Sequence, residues 1–274
     1  MNHLIKTTQI ISDHNVPVLL HLLTDGRDVA PKSAEKFLKS IIKELPPTAK
    51  IATVTGRYFA MDRDNNWDRI DMNPTPVNLI PLQQTATDVL GLKHKELNYG
   101  INLGKGEAPI SGKYVIFGPQ ATSGCKEWNI DKWKELSVKF INAGYKVVIC
   151  SLGSYDIPNT IECNGEIDVT ATYLRHADAF IGLGSGLSWL NWSLDKYTYM
   201  INGFAKEGHE FTNKLTKITN DVCIKCWNDP VHTFDSGDWN WCPVYKGSKL
   251  QHICQQSITV NQVFDAVKMD LDIK

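Results

Sequence analysis

Residues Asp178 to Leu194, DAFIGLGSGLSWLNWSL, constrain the fold more than any other stretch of the chain. Asp178 to Leu183 is a short apolar run of the kind that forms a buried parallel strand, and Leu187, Leu190 and Leu194 follow at helical spacing. Between them sits Gly184-Ser185-Gly186. A strand that runs through two glycines into a helix aims unpaired N–H groups and the positive end of the helix dipole at whatever lies above the sheet. Glycine lets the main chain approach phosphate oxygens, and the Ser185 and Ser188 hydroxyls add uncharged donors. The loop reads as a seat for a diphosphate; it reads equally as a helix N-cap with glycine at a tight turn.

The neighbouring sequence alternates strand and helix. A strand at Lys113–Phe117 leads through loop Gly118–Asn129 to a helix over Ile130–Ala143, ended by Gly144. Strand Lys146–Ser151, loop Leu152–Pro158, helix Thr170–His176, the strand and helix above, and strand Tyr197–Ile201 complete the series. Such repetition predicts an α/β fold with a parallel Rossmann-like sheet, whose ligands sit outside the carboxyl ends of the strands. The expected pocket is therefore built from Gly118–Trp128, Ser151–Asp156, Gly184–Ser188 and Gly203–Glu210. Lys126 follows the hydroxyl-rich Ala121-Thr122-Ser123-Gly124 and could neutralise a departing diphosphate; it could equally be a solvated lysine before a helix.

Upstream lies a separate α/β segment, residues 1–70. Helical spacing marks Leu4–His14, and Val16–Leu23 and Lys50–Thr55 read as strands flanking a helix that opens at Pro31 and runs to Leu45. Both strands finish near a Gly-Arg pair. On one rim of a parallel layout Arg27, Arg57 and Arg63 would converge on an anion, with Asp28 fixing a guanidinium or a hydroxyl. Arg–Asp pairing in surface turns accounts for the same residues. Asp71–Pro76 is turn chemistry, Pro81–Gly91 a short amphipathic helix and Lys93–Gly112 a polar connector. The expected organisation is residues 1–70, a connector over 71–112 and a nucleotide-sugar-binding domain over 113–274.

The formal net charge is −1 with no long like-charged block, so neither a nucleic-acid groove nor an acidic-membrane surface is expected. No apolar run approaches the roughly 18–20 residues that span a bilayer, and the N-terminus lacks a secretion signal; a cytoplasmic protein is expected. Of seven cysteines, four fall as Cys223-Ile-Lys-Cys226, then Cys242, then Cys254. A short loop supplying two thiolate corners and longer loops supplying two more is the pattern of a tetrahedral, structural metal site, for iron or zinc. Four unpaired thiols are the alternative, and Cys125, Cys150 and Cys163 read as packing residues.

The stretches HLLTDGRDVAPKSA and GRYFAMDRDNNWDRI resemble the cofactor-independent phosphoglycerate mutases, in the domain that grips phosphoglycerate. That resemblance covers about 70 residues and implies that Arg27, Asp28, Arg57 and Arg63 contact substrate or phosphate, with Met61 and Trp67 as structural neighbours. The rest of the chain supplies no serine nucleophile with a matching Asp/His cage, so mutase chemistry is not expected.

From about Asp71 onward, PLQQTATDVLGL, GPQATSGCKEWN, LRHADAFIGLGSGLSWLNW and the run from CIKCWNDP to Cys254 resemble the donor-binding half of the bacterial autotransporter heptosyltransferases. The resemblance implies a GT-B C-terminal half that binds ADP-heptose and passes heptose to serine hydroxyls of an adhesin. It implies donor contacts at Thr122, Lys126, Gly184, Ser185, Gly186 and Leu187, a metal finger of Cys223, Cys226, Cys242 and Cys254, and ring-shaped homo-oligomers. The family's catalytic aspartate belongs to its N-terminal half, where this chain carries the mutase-like piece, so no catalytic residue is assigned and weak or absent transfer is expected. The competing expectations are a phosphoglycerate-binding fragment and a non-catalytic hybrid scaffold.

Overall fold

The computed structural model describes residues 79–84, 93–96, 98, 100–232 and 238–273, together with the backbone of four earlier strands. Two compact units divide the chain, Met1–Lys95 and Glu96–Lys274.

In the first unit β1 (Val18–His21) runs parallel to β2 (Ile51–Thr55), with Val18 opposite Ile51. Two strands that periodicity does not reveal complete its four-stranded sheet: β3 (Phe59–Met61) and β4 (Trp67–Arg69), added antiparallel in the order β1-β2-β3-β4. Runs of three residues are too short to show alternation. Met61 and Trp67 are direct cross-strand partners. The helices expected at Leu4–His14 and Pro31–Leu45 lie outside the described residues, as does the Asp71–Pro76 turn. Of the expected helix at Pro81–Gly91, positions 82–84 are described and are helical.

The second unit is built on six parallel strands in the order β10-β9-β8-β5-β6-β7. These are β5 (Tyr114–Gly118), β6 (Lys146–Cys150), β7 (Ile161–Cys163), β8 (Ala179–Leu183), β9 (Thr198–Ile201) and β10 (Leu215–Ile218). Helices α1 (Ile130–Asn142), α2 (Ile167–His176), α3 (Gly186–Ser193), α4 (Ile253–Gln256) and α5 (Val260–Lys268) accompany them. The sequence predicts β9 as the final strand; β10 adds a further one, and β7 fills the opposite edge. Leu-Thr-Lys-Ile and Ile-Glu-Cys carry polar residues mid-strand, which is tolerable at an edge and hides them from an apolar-run criterion.

The central strands are covered on both faces, so β5, β8 and β9 are buried throughout. Period-two alternation separates two cores. Val115, Phe117, Val147, Ile149 and Ile181 face α1 and α5, while Tyr114, Ile116, Val148 and Phe180 face α2 and α3. Helix α1 starts where the Asn129 side chain accepts from the Asp131 amide at 2.7 Å, and α5 starts in a capping box between Thr259 and Gln262. Trp133, Leu136 and Phe140 form the buried stripe of α1, and the Phe140 ring stands 5.9 Å from Phe117 and 5.1 Å from Phe264.

Phe140 thus joins the sheet, α1 and α5 in one contact. Phe140→Ala is expected to cost about 3–5 kcal/mol in chemical denaturation, because the surrounding aromatic rings cannot collapse onto the void.

Candidate functional site

Strand order reverses between β5 and β8: chain that follows β5 builds outward to β6 and β7, and chain that follows β8 builds the other way to β9 and β10. The two strands are paired in register, Gly118 beside Gly182, so the loops leaving them diverge and open a crevice. Glycine is required at 182, where a Cβ would fall 2.5 Å from the Phe180 ring.

The loop after β5 curls into a 3-10 turn over Gly124–Lys126. The Gly124 amide and the Ser123 hydroxyl both donate to the Trp239 carbonyl at 2.9 Å, and the Trp128 indole donates to the Ile258 carbonyl at 2.9 Å. That fixed turn carries Lys126 across the crevice. Its Nζ donates to the Gly184 carbonyl at 3.3 Å and lies 5.9 Å over the Phe204 ring. The structure therefore brings Lys126 and the glycine loop to one place. Thr122 stands exposed on the same loop. The loop after β6 joins them through the Leu152 amide, which donates to Gln120 Oε1 at 2.7 Å.

Ser185 is the extended N-cap of α3, and Gly186 is its first helical residue. The first amides of a helix have no partner within it, and the space where a Gly186 side chain would stand is open to 4 Å. Leu187 is half-buried against the α2-side core. Ser188, expected among the donors, is a correction: it is fully buried, and its hydroxyl donates to the Leu183 carbonyl at 2.6 Å. The Leu183 carbonyl, where β8 ends, also accepts from the Ser185 amide at 2.7 Å, so the Ser188 hydroxyl adds a second donor to it.

Beneath the glycine loop lies a polar cluster that sequence patterning did not single out. Asn202 Nδ2 donates to Glu210 Oε1 at 2.6 Å, and its Oδ1 accepts from the Phe204 and Ala205 amides, both at 3.0 Å. Lys217 Nζ lies 3.0 Å from Glu210 Oε2 and donates to the Lys206 carbonyl at 2.7 Å. The ion pair is buried, with side chains 7% and 8% exposed, and burial holds the Lys217 ammonium below its ordinary pKa while Glu210 opposes that shift. A Cβ at position 184 would come within 2.9 Å of Asn202 Nδ2, so the cluster sets the glycine requirement. The expected pocket stretch Gly203–Glu210 includes Glu210 without assigning it a role, and Asn202 and Lys217 lie outside the expected pocket.

Cys223, Cys226, Cys242 and Cys254 line one small cavity with Cys125, Phe204, Trp241 and His252. The Cys226 thiol is pushed up to about 11 by burial and then by Cys223 and Cys242; Cys254 is pushed up to about 12 by burial and then by the other three thiols. Among the described residues no group of three or more His, Cys, Asp or Glu is arranged as a metal-ligating set. The four thiols thus line one apolar space. Cys125 sits at this cavity, whereas Cys150 and Cys163 are register partners on β6 and β7, on the α2 side of the sheet. Arg27, Asp28, Arg57 and Arg63, and any anion site they form, lie outside the described residues.

Residues 81–236 match glycosyltransferase family 9 (heptosyltransferase), and residues 1–80 match the BPG-independent PGAM N-terminus. The autotransporter heptosyltransferase Aah of Escherichia coli is 29% identical over 229 residues, 78% of this chain and 56% of that protein. The 2,3-bisphosphoglycerate-independent phosphoglycerate mutase of Roseobacter denitrificans is 56% identical over 70 residues, 26% of this chain and 14% of that enzyme. Among solved structures, dodecameric iron-containing heptosyltransferase TibC in complex with ADP-D-beta-D-heptose superposes with a TM-score of 0.69 at 26% identity, over 99% of this chain and 74% of that one. The chain spans about half the length of the curated heptosyltransferases it matches, from 48% to 56%.

The polar cluster generates a stability test. Lys217→Met leaves the Glu210 carboxylate buried without its cation and is expected to cost about 3–5 kcal/mol in urea denaturation. Adding Glu210→Leu to the same chain should recover only part of that loss, since it removes the unpaired buried charge but takes the Glu210 acceptor from Asn202 Nδ2 while the Lys206 carbonyl still lacks its Lys217 donor.

Proposed function

Because the chain belongs to glycosyltransferase family 9, the heptosyltransferases, through residues 81–236, we propose that its β5/β8 crevice binds ADP-heptose. The observation that carries this reading is the Lys126 ammonium held 3.3 Å from the Gly184 carbonyl, directly over the start of α3. In this reading Lys126 turns from that carbonyl to the diphosphate. The amides of Gly186 and Leu187 and the hydroxyls of Ser185 and Thr122 complete the seat.

The names of the relatives support heptosyl transfer linked to an autotransporter, and the reaction proposed here is transfer to serine hydroxyls of such an adhesin. The serine oxygen forms the new bond to the anomeric carbon as the bond to the β-phosphate oxygen breaks. ADP leaves with the electron pair, and a carboxylate takes the serine proton. Lys126 and the helix amides stabilise the charge that grows on the diphosphate. The chain is a hybrid whose residues 1–80 match a phosphoglycerate mutase segment, and the base is unassigned, so strong donor binding with weak transfer is the expected behaviour. Residues 1–80 would contribute phosphate recognition of their own only through Arg27, Asp28, Arg57 and Arg63.

The four-thiol cavity belongs to the same proposal. Four sulfur donors in one apolar space fit a thiophilic ion in kind and number. Cys223, Cys226, Cys242 and Cys254 would hold one iron or zinc ion, which supplies a structural cross-link and no open coordination position. All seven cysteines are free thiols, which supports work in a reducing, cytoplasmic compartment. No helix among the described residues is long and apolar enough to cross a membrane. Assembly into a homo-oligomer is part of the reading, the similar TibC being dodecameric.

Calorimetric titration with ADP-heptose should give saturable binding, and Lys126→Ala should weaken it about 10- to 100-fold, the loss of a charge-assisted contact to phosphate. Heat that does not saturate would sink the donor reading. Elemental analysis should find about one metal per chain, lost in Cys242→Ser. An unaltered metal content in that variant would remove the four-thiol assignment.

A further inference from the structure

Gln255 follows Cys254 directly and is fully buried, yet it carries a carboxamide. Its Nε2 donates to the Lys126 carbonyl at 2.8 Å and to the Ile201 carbonyl at 3.2 Å, and its Oε1 accepts from the Gly203 amide at 2.9 Å. One side chain thus ties the turn that carries Lys126 to the end of β9 and the loop beyond it. Each partner is a main-chain group, so the tie acts on backbone position and not on rotamer choice. A buried carboxamide this fully used resists displacement, because any shift leaves a polar group unpaired away from water.

The thiol cavity reaches the same turn by other routes. Cys125, which lines the cavity, precedes Lys126, and Phe204, which also lines it, lies under the Lys126 ammonium. The Cys254 carbonyl is packed so closely on Gly203 that a Cβ at that position would fall 1.9 Å away. The loop beyond Gly203 is tied to the cysteine-bearing segment as well: the Lys206 amide donates to Asn228 Oδ1 at 2.6 Å, and the Trp227 indole donates to His209 Nε2 at 2.9 Å.

We propose that Gln255 is a positioning residue that couples occupancy of the four-thiol cavity to occupancy of the diphosphate seat, so that each ligand tightens the other. The coupling rests on the donor and thiol readings above. An ion that fixes Cys254 fixes Gln255, and Gln255 fixes the backbone from which Lys126 reaches. Linkage makes the effect reciprocal: whatever factor the ion adds to ADP affinity, ADP must add to ion affinity.

The full chain is loaded with Zn2+, ADP binding is measured by calorimetry, and zinc affinity is measured at equilibrium by competition with a chromogenic chelator, with and without saturating ADP. Coupling predicts that ADP tightens zinc binding by about fivefold or more. Gln255→Met should keep one zinc per chain while its zinc affinity no longer responds to ADP. Saturable ADP heat with an unchanged zinc affinity in the unaltered chain overturns the coupling and leaves the donor reading standing, and this arm needs no variant to fold. Absence of ADP heat, or of bound zinc, overturns the coupling together with the reading it rests on. A Gln255→Met chain whose zinc affinity still rises with ADP removes Gln255 from the link.

Discussion

The hydrogen-bonded pairing of β5 with β8 is the constraint on which the second unit depends. Two parallel neighbours whose following chain departs in opposite directions cannot both be covered at their carboxyl ends, and the gap is a consequence of topology alone. The sheet around them is stabilised by apolar burial on both faces, and the gap is lined by what cannot be buried there: glycines, the first amides of α3 and one lysine. Function in such a fold is confined to the rim because the rest of the sheet has no free surface.

Much of this was legible in the amino-acid order. The apolar runs at Tyr114–Gly118, Lys146–Cys150 and Ala179–Leu183 are continuous because those strands are enclosed, and an enclosed strand leaves a clear signature. The strands that escaped notice, β3, β4, β7 and β10, are short or carry polar residues, and tertiary pairing decides them. Proximity of Lys126 to Gly184 followed from placing both at carboxyl strand ends. The fate of Ser188 did not, since a serine one turn into a helix can face the ligand or bond back to the strand, and only packing chooses.

Side-chain amides and the ion pair were the least legible part. Asn202, Lys217 and Gln255 sit in sequence contexts that do not mark them as buried, and Glu210 falls in an expected pocket stretch without a role, yet each side chain is buried and bonded. Their partners are mostly backbone groups of loops that have no regular ladder to satisfy them, and this explains why polar residues are found there at all. The pattern is coherent: irregular backbone near the crevice is held by buried carboxamides and one ion pair, where an apolar core would leave main-chain groups unpaired.

Helix α5 places Val260, Val263 and Val267 in the same core as Phe140 of α1 and Tyr199 of β9. During synthesis, α1 and the early strands emerge long before the valines that cover them, so the nascent polypeptide carries an open apolar seam while most of the unit is being made. Such a seam is a natural binding place for a chaperone and a starting point for aggregation. A frameshift or premature stop upstream of Val260 would leave it permanently uncovered, and the product would be cleared by proteolysis whatever the state of its binding residues.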